Sequence, residues 1–210
     1  LRLLGAAAHA GSTPMAGRRD ALLGAARVIE AARRIATAHG EGRATVGELH
    51  VAPNSRNVVP GEVRMTLDIR HRDDRQRDAM DAALQAAVRE AAAAEGLQLA
   101  IERVLDQPAA AFDAACIARV RDAARREGYS QLDIVSGAAH DAVAIARIAP
   151  VGMIFVPCAG GISHNEAEGA TPADLAAGCQ VLLRALLGAC GHPAAQAPRS
   201  TPTLAEASTP

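Results

Sequence analysis

Apolar and polar positions alternate most clearly over residues 62–70. Val63, Met65, Leu67 and Ile69 fall on one face and Glu62, Arg64, Thr66, Asp68 and Arg70 on the other. That period of two predicts a strand within PGEVRMTLDIRH, with one face on a core. Ahead of it ATVGELHVA reads as a strand and PNSRN as a turn. The period then changes to helical. Leu22, Ala25, Ala26, Ile29, Ala32 and Ala36 mark a helix over 18–38, stopped by Gly40 and Gly42. Asp73 with Gln76 resembles a capping box, and Met80, Leu84, Val88 and Ala91 continue as an apolar stripe ended by Gly96. LRLLGAAA at the start reads as a short strand, AGSTPM as a loop with Pro14 close to a helix start, and LQLAIERV as a closing strand. The order β-α-β-β-α-β predicts a ferredoxin-like sheet with helices on one face. The sheet's other face is polar, so it looks onto water, a partner or a site.

From about Pro108 the pattern shifts. FDAACIARVRDAARREG is an amphipathic helix ending at Gly128, and LDIVSGAAHDAVAIARIA gives a short strand, a small-residue turn and a helix. The continuous apolar run VGMIFVPC predicts a strand buried on both faces, as in an α/β sheet. TPADLAAGCQVLLRALLGA closes as a helix with Thr171 as cap and Pro172 at its first position. The region from 191 to 210, rich in Pro, Ala, Ser and Thr, reads as a disordered tail.

Composition changes the picture in two ways. The chain has 210 residues with two Phe, one Tyr and no Trp, so the core is built from Ala, Val, Leu and Ile. A formal net charge of −1 gives no reason to expect nucleic acid or an anionic membrane as partner, and no apolar run approaches the ~18 residues a membrane span needs. Cys116, Cys158, Cys179 and Cys190 form no CxxC pair and fit the scattered reduced thiols of a cytosolic protein. The start at Leu1 reads as the middle of a strand, which suggests a piece of a longer polypeptide.

Chemistry concentrates in loops. His164, in GGISHNEAE, follows the apolar run at a strand's carboxyl end, where ligand sites of open α/β sheets gather. Neutral imidazole binds zinc well, but a catalytic zinc takes about three protein ligands, so taken alone His164 reads first as a loop histidine satisfied by hydrogen bonds. Glu166 and Glu168 are either further ligands or a solvated edge. In SGAAHDA, Ser136, Gly137 and Asp141 shape and cap a turn, and His140 has no fixed role. His9 can donate to a developing oxyanion. Asn57 offers a donor and an acceptor to an amide or ureido group, and Arg70 can fork onto a carboxylate. Periodicity gives these residues no reason to converge. There is no Gly-rich phosphate loop and no GxSxG, so a serine-hydrolase reading lacks its nucleophile elbow.

Taken in order, HAGSTPM, PNSRNVVPGEVRMTLDIR, SGAAHDA and MIFVPCAGGISHNEAE resemble the metal-dependent amidases of the hydantoinase/carbamoylase group. This group includes N-carbamoyl-L-amino-acid hydrolases, β-ureidopropionases and allantoate amidohydrolases, relatives of aminoacylase and carboxypeptidase G. The resemblance implies an α/β zinc-hydrolase catalytic domain interrupted by a lid domain through which two chains dimerise. Residues 1–107 then form the lid and 108–190 the last part of the catalytic domain. It also implies two metal ions per complete site, zinc or else Mn, Co or Ni, of which this chain supplies only the last ligand, His164. The other ligands and the general-base glutamate lie upstream of Leu1. By the same resemblance His9 steadies the tetrahedral intermediate, Asn57 and Arg70 hold the ureido end and the carboxylate of the substrate, and Gly137 gives a backbone contact. The group usually reads SGAGHDA, so Ala139 is a departure, and its methyl would strain the turn if that position needed positive φ.

The activity implied is hydrolysis of a linear amide or ureido C–N bond in an N-carbamoyl-amino acid by a metal-activated water, in a cytoplasmic enzyme whose partner is a small carboxylate substrate. Allantoate hydrolysis is the alternative within the group. From another class stands a short non-catalytic module for dimerisation or small-ligand binding.

Overall fold

The structure, a computed structural model, describes residues 1–191; the tail expected over 191–210 lies, from residue 192 on, outside the described residues. The chain divides into two compact units. One takes Leu1–Ala109 with Val135–Gly137, the other Ala110–Ile134 with the chain from Ala138 onward.

In the first unit the chain runs β1 (Arg2–Leu4), β2 (Ala8–His9), α1 (Ala21–Ala38), β3 (Arg43–Thr45), β4 (Leu49–Ala52), β5 (Val58–Val59), β6 (Glu62–Met65), β7 (Asp68–Arg70), α2 (Asp74–Ala94) and β8 (Gln98–Ala100). The main sheet has the order β4-β6-β1-β8, antiparallel throughout. Counting only its four strands, that is the ferredoxin-like arrangement. The register puts Leu3 opposite Val63 and Leu99, and Val63 opposite Val51. These side chains share the face that packs on α1 and α2 with Val28, Met80, Leu84 and Val88. Arg2 and Arg64, opposite each other on the other face, both hydrogen-bond Glu62, at 2.9 and 2.7 Å.

Local chemistry sets the helix ends. The Asp20 carboxylate accepts from the amides of Leu22 and Leu23, so α1 starts there and not near Pro14. Asp73 does the same for Arg75 and Gln76. The buried face of α1 overlaps the predicted one in part: Ala25, Ala32 and Ala36 are buried as expected, but Leu22 and Ile29 are 37% and 39% exposed, and Ala21, Gly24, Val28 and Ile35 are buried in their stead. Small residues let the helix approach closely: a Cβ on Gly24 would lie 2.4 Å from Leu97 Cδ1.

The long strand expected through 60–71 is broken. Between the β3–β7 and β4–β6 ladders, residues 46–48 face only 66 and 67, the count of a β-bulge. Thr66 holds it, its amide donating to the Glu48 carbonyl and its Oγ1 accepting from the Glu48 amide. The bulge turns Asp68 and Arg70 off the main sheet.

The second unit contains α3 (Ala114–Arg126), α4 (Asp141–Ile145), a short 3₁₀ turn (Ala159–Gly161) and α5 (Pro172–Ala189). Asp113 caps α3 and Thr171 caps α5. Ala123, Ala124 and Val181 form its small core. Neither LDIV nor VGMIFVPC is a strand, and the latter is half-buried where full burial was expected. A strand exists only where a neighbour completes its ladder, and among the described residues this unit holds no other strand. The segment instead lies against α5, where a Cβ on Gly178 would meet Val156 Cγ1 at 2.5 Å. No helix of the described residues is long and apolar enough to cross a membrane, and all four cysteines are free.

Candidate functional site

His9 ends β2, which pairs with β5 so that His9 stands opposite Val58. The Ala10 amide donates to the Asn57 carbonyl at 2.8 Å, bringing the His9 and Asn57 loops together. The turn after His9 is tightly held. The Thr13 amide donates to the His9 carbonyl, and Arg18 donates to the carbonyls of Ala10 and Thr13, both at 2.7 Å. The His9 Nδ1 accepts from the amides of Gly11 and Ser12, each at 3.1 Å. The Asn57 side-chain oxygen accepts from the Ser55 hydroxyl at 2.9 Å.

Arg70 meets Gly137: its Nη1 donates to the Gly137 carbonyl at 2.8 Å, within the first unit. The guanidinium is also engaged by a residue the motif reading did not single out. Asp68 accepts from Nε at 2.8 Å and from Nη2 at 2.5 Å. The signal was in the sequence, because Asp68 and Arg70 are two apart on one strand face. Hydrogen bonding from Arg70, with its charge adding to it, holds the Asp68 carboxyl below its ordinary value against the opposing effect of burial. The same bond to Asp68 raises Arg70. The fork expected to be open for a substrate carboxylate is therefore filled side-on by Asp68, and N–H groups on Nη1 and Nη2 are left over.

His164 lies in the second unit in an exposed loop, with φ +55°, a left-handed conformation uncommon outside glycine. Its amide donates to Glu168 Oε2 at 2.8 Å, and the Glu168 amide donates to the Asn165 carbonyl at 2.9 Å. Glu168 thus braces the loop. His140 precedes α4 and packs edge-on against Phe155, ring centroids 5.7 Å apart, while Asp141 opens α4 as an acid in its first turn. Ala139 is not among the positive-φ residues, so its methyl brings no left-handed strain. An apolar groove of about 450 Å³ in this unit, lined by Cys116, Val120, Ile154, Val156 and Leu182 among others, includes none of the predicted site residues.

The metal expectation can be tested on the donor set. His164 offers one imidazole, against the roughly three protein ligands a catalytic zinc takes. Among the described residues no three His, Cys, Asp or Glu side chains cluster so as to hold an ion. The described residues do not by themselves make a metal site.

Residues 9–188 match peptidase family M20/M25/M40. An N-carbamoyl-L-amino-acid amidohydrolase of Rhizobium meliloti is 42% identical over 186 residues, 88% of this chain and 45% of the relative. An allantoate amidohydrolase of Bacillus subtilis is 33% identical, across 83% of this chain and 42% of the relative. A hydantoinase/carbamoylase family amidase from Burkholderia vietnamiensis superposes with a TM-score of 0.85 at 55% identity, covering 89% of this chain and 46% of the other. The chain thus spans less than half the length of each of these relatives. It belongs to the peptidase family M20/M25/M40, and its structural neighbours include hydantoinase/carbamoylase family amidases.

Proposed function

We propose that these 210 residues work within a longer metal-dependent amidohydrolase that cleaves the linear ureido or amide C–N bond of an N-carbamoyl-amino acid. Membership of the M20/M25/M40 family, beside relatives named for that activity, is the observation that carries the reading. Residues 1–107 act as lid and dimerisation domain, and 108–190 complete the catalytic domain. His164 is the metal ligand this chain contributes, to zinc or a similar divalent ion, and the other ligands come from polypeptide outside it.

Within that enzyme Asn57 hydrogen-bonds the ureido end of the substrate, and Arg70 receives its carboxylate on the N–H groups that Asp68 and Gly137 leave over. His9 donates to the oxygen on which charge develops as the carbonyl becomes tetrahedral. An enzyme built this way selects substrates with a carboxylate. The carbamoyl-amino-acid reading is preferred to allantoate because the relative of that name shares more of the sequence.

The test is a titration of the isotopically labelled chain with an N-carbamoyl-L-amino acid and with its carboxamide analogue. The expected outcome is a shift of the Arg70 Nε and Asn57 side-chain amide resonances by the acid and not by the carboxamide. Equal response to both, or none, overturns the substrate assignment. The same preparation dialysed against zinc is expected to hold well under one ion per chain and to hydrolyse nothing; stoichiometric zinc with turnover overturns the divided metal site.

A further inference from the structure

We infer that the backbone amides of Gly11 and Ser12 are positioning groups that fix the tautomer of His9, keeping its ring proton on Nε2. This builds on the role proposed above for His9 as a donor to the developing oxyanion. A neutral imidazole has one nitrogen that donates and one that accepts, and the partner of one nitrogen decides the state of the other. Two N–H groups point at His9 Nδ1, each at 3.1 Å. Neither can be accepted unless Nδ1 keeps its lone pair, so the proton sits on Nε2, on the far side of the ring.

The arrangement is that of a helix cap. Asp20 accepts from the amides two and three residues on, Leu22 and Leu23, and Asp73 from Arg75 and Gln76. His9 does the same with its ring nitrogen. Its own carbonyl accepts from the Thr13 amide at 3.1 Å, and Arg18 clamps the turn through Ala10 and Thr13. The amides are therefore held in place by bonds that do not involve the ring. An imidazole with its proton on Nδ1 would lose both bonds and would present a lone pair, not a donor, on Nε2. Gly11 also leaves room for the ring, since a Cβ there would lie 3.3 Å from His9 Cε1.

The tautomer is read without turnover by long-range proton–nitrogen correlation on the ¹⁵N-labelled chain at about pH 8, above the ordinary histidine pKa. His9→Gln identifies the His9 signals by their loss. His39, whose Nδ1 faces the Ile35 carbonyl at 2.9 Å, supplies the opposite tautomer as an internal contrast. The expected result is Nε2–H over Nδ1–H by roughly tenfold or more, the size of two modest hydrogen bonds, and well above the ratio in the urea-unfolded chain. Ser12→Pro, which removes one N–H, lowers the ratio severalfold, and Ser12→Ala, which keeps it, leaves the ratio unchanged. An Nδ1–H majority, or a ratio equal to that of the unfolded chain, overturns the inference. If Ser12→Pro does not fold, the native and Ser12→Ala ratios still decide. A chain with Nε2–H that shows no response to carbamoyl-amino acids separates failure of the substrate reading from failure of this one.

Discussion

At the scale of single residues, the contact between Asp68 and Arg70 sets the orientation of the guanidinium at the end of β7. Arg70 donates to Asp68 through Nε and Nη2 and to the Gly137 carbonyl through Nη1. Both side chains of the pair are about half exposed, so it adds little to stability in water, and its consequence is orientation. The ionised carboxylate is the form that Arg70 binds, which is why the Asp68 carboxyl lies below its ordinary 3.8. A lowered folded pKa makes the pair's contribution complete above the ordinary carboxylate value, and it is lost as the pH falls through the lowered one. A carboxyl-carbon titration is expected to place the Asp68 midpoint below 3.8, and in Arg70→Gln to bring it back toward that value. An unchanged midpoint in the variant would show that Arg70 is not what holds Asp68 ionised.

At the scale of elements, caps carry more than propensity. Asp20 and Asp73 each satisfy two amides at the start of a long helix, and α1 has no acid in its first turn to take over if Asp20 is lost. Asp20→Ala and Asp73→Ala should each lower the unfolding free energy by about 1 kcal/mol, measured by urea denaturation with an unchanged m-value. A loss near zero for both would mean that packing alone ends these helices. Such signals act within a few residues, and that is why the sequence shows them: the Asp73 cap, the stripe of Met80, Leu84, Val88 and Ala91, the Thr171 cap and the stops at Gly96 and Gly128 all stand where they are read. Features set by distant partners are not legible in the same way. Which of the large apolar residues of α1 are buried, Val28 and Ile35 but not Leu22 and Ile29, is decided by the sheet and α2 against which it packs. The bulge at Thr66 depends on a bond to Glu48, and VGMIFVPC has strand composition without a neighbouring strand. Among the site residues, types and loops were readable from motifs. The side-on occupation of Arg70 by Asp68 and the two amides at His9 Nδ1 were not, because they depend on backbone placement.

At the scale of the whole molecule the two units differ in what holds them. The first buries Leu3, Val28, Val63 and Met80 completely, in a core continuous across sheet and both long helices. The second has a buried core of Ala123, Ala124 and Val181, with Val120, Ile154 and Ala185 packed against it. Apolar burial contributes about 25 cal/mol per Å² removed from water, so a core of two alanines and a valine secures much less than one that buries Leu, Met and several Val. The second unit's most buried ion pair among the described residues is that of Arg184 with Glu127, each about nine-tenths buried and joined by Gln180; it fixes α5 near the end of α3, but an ion pair out of water offsets much of its own attraction. Phe155, Leu182 and Leu186 remain about half exposed in this unit. Local opening follows buried contact, so the unit with fewer buried side chains opens at lower free energy. Amide hydrogen exchange followed by mass spectrometry should therefore find α1, α2 and β6 the most protected parts of the chain. Amides of α3 and α5 are expected to exchange at least about tenfold faster, the ratio that a difference of 1.4 kcal/mol in opening free energy produces. Equal protection of both units would show that the second draws its stability from something other than the core described, and would remove the energetic distinction between them.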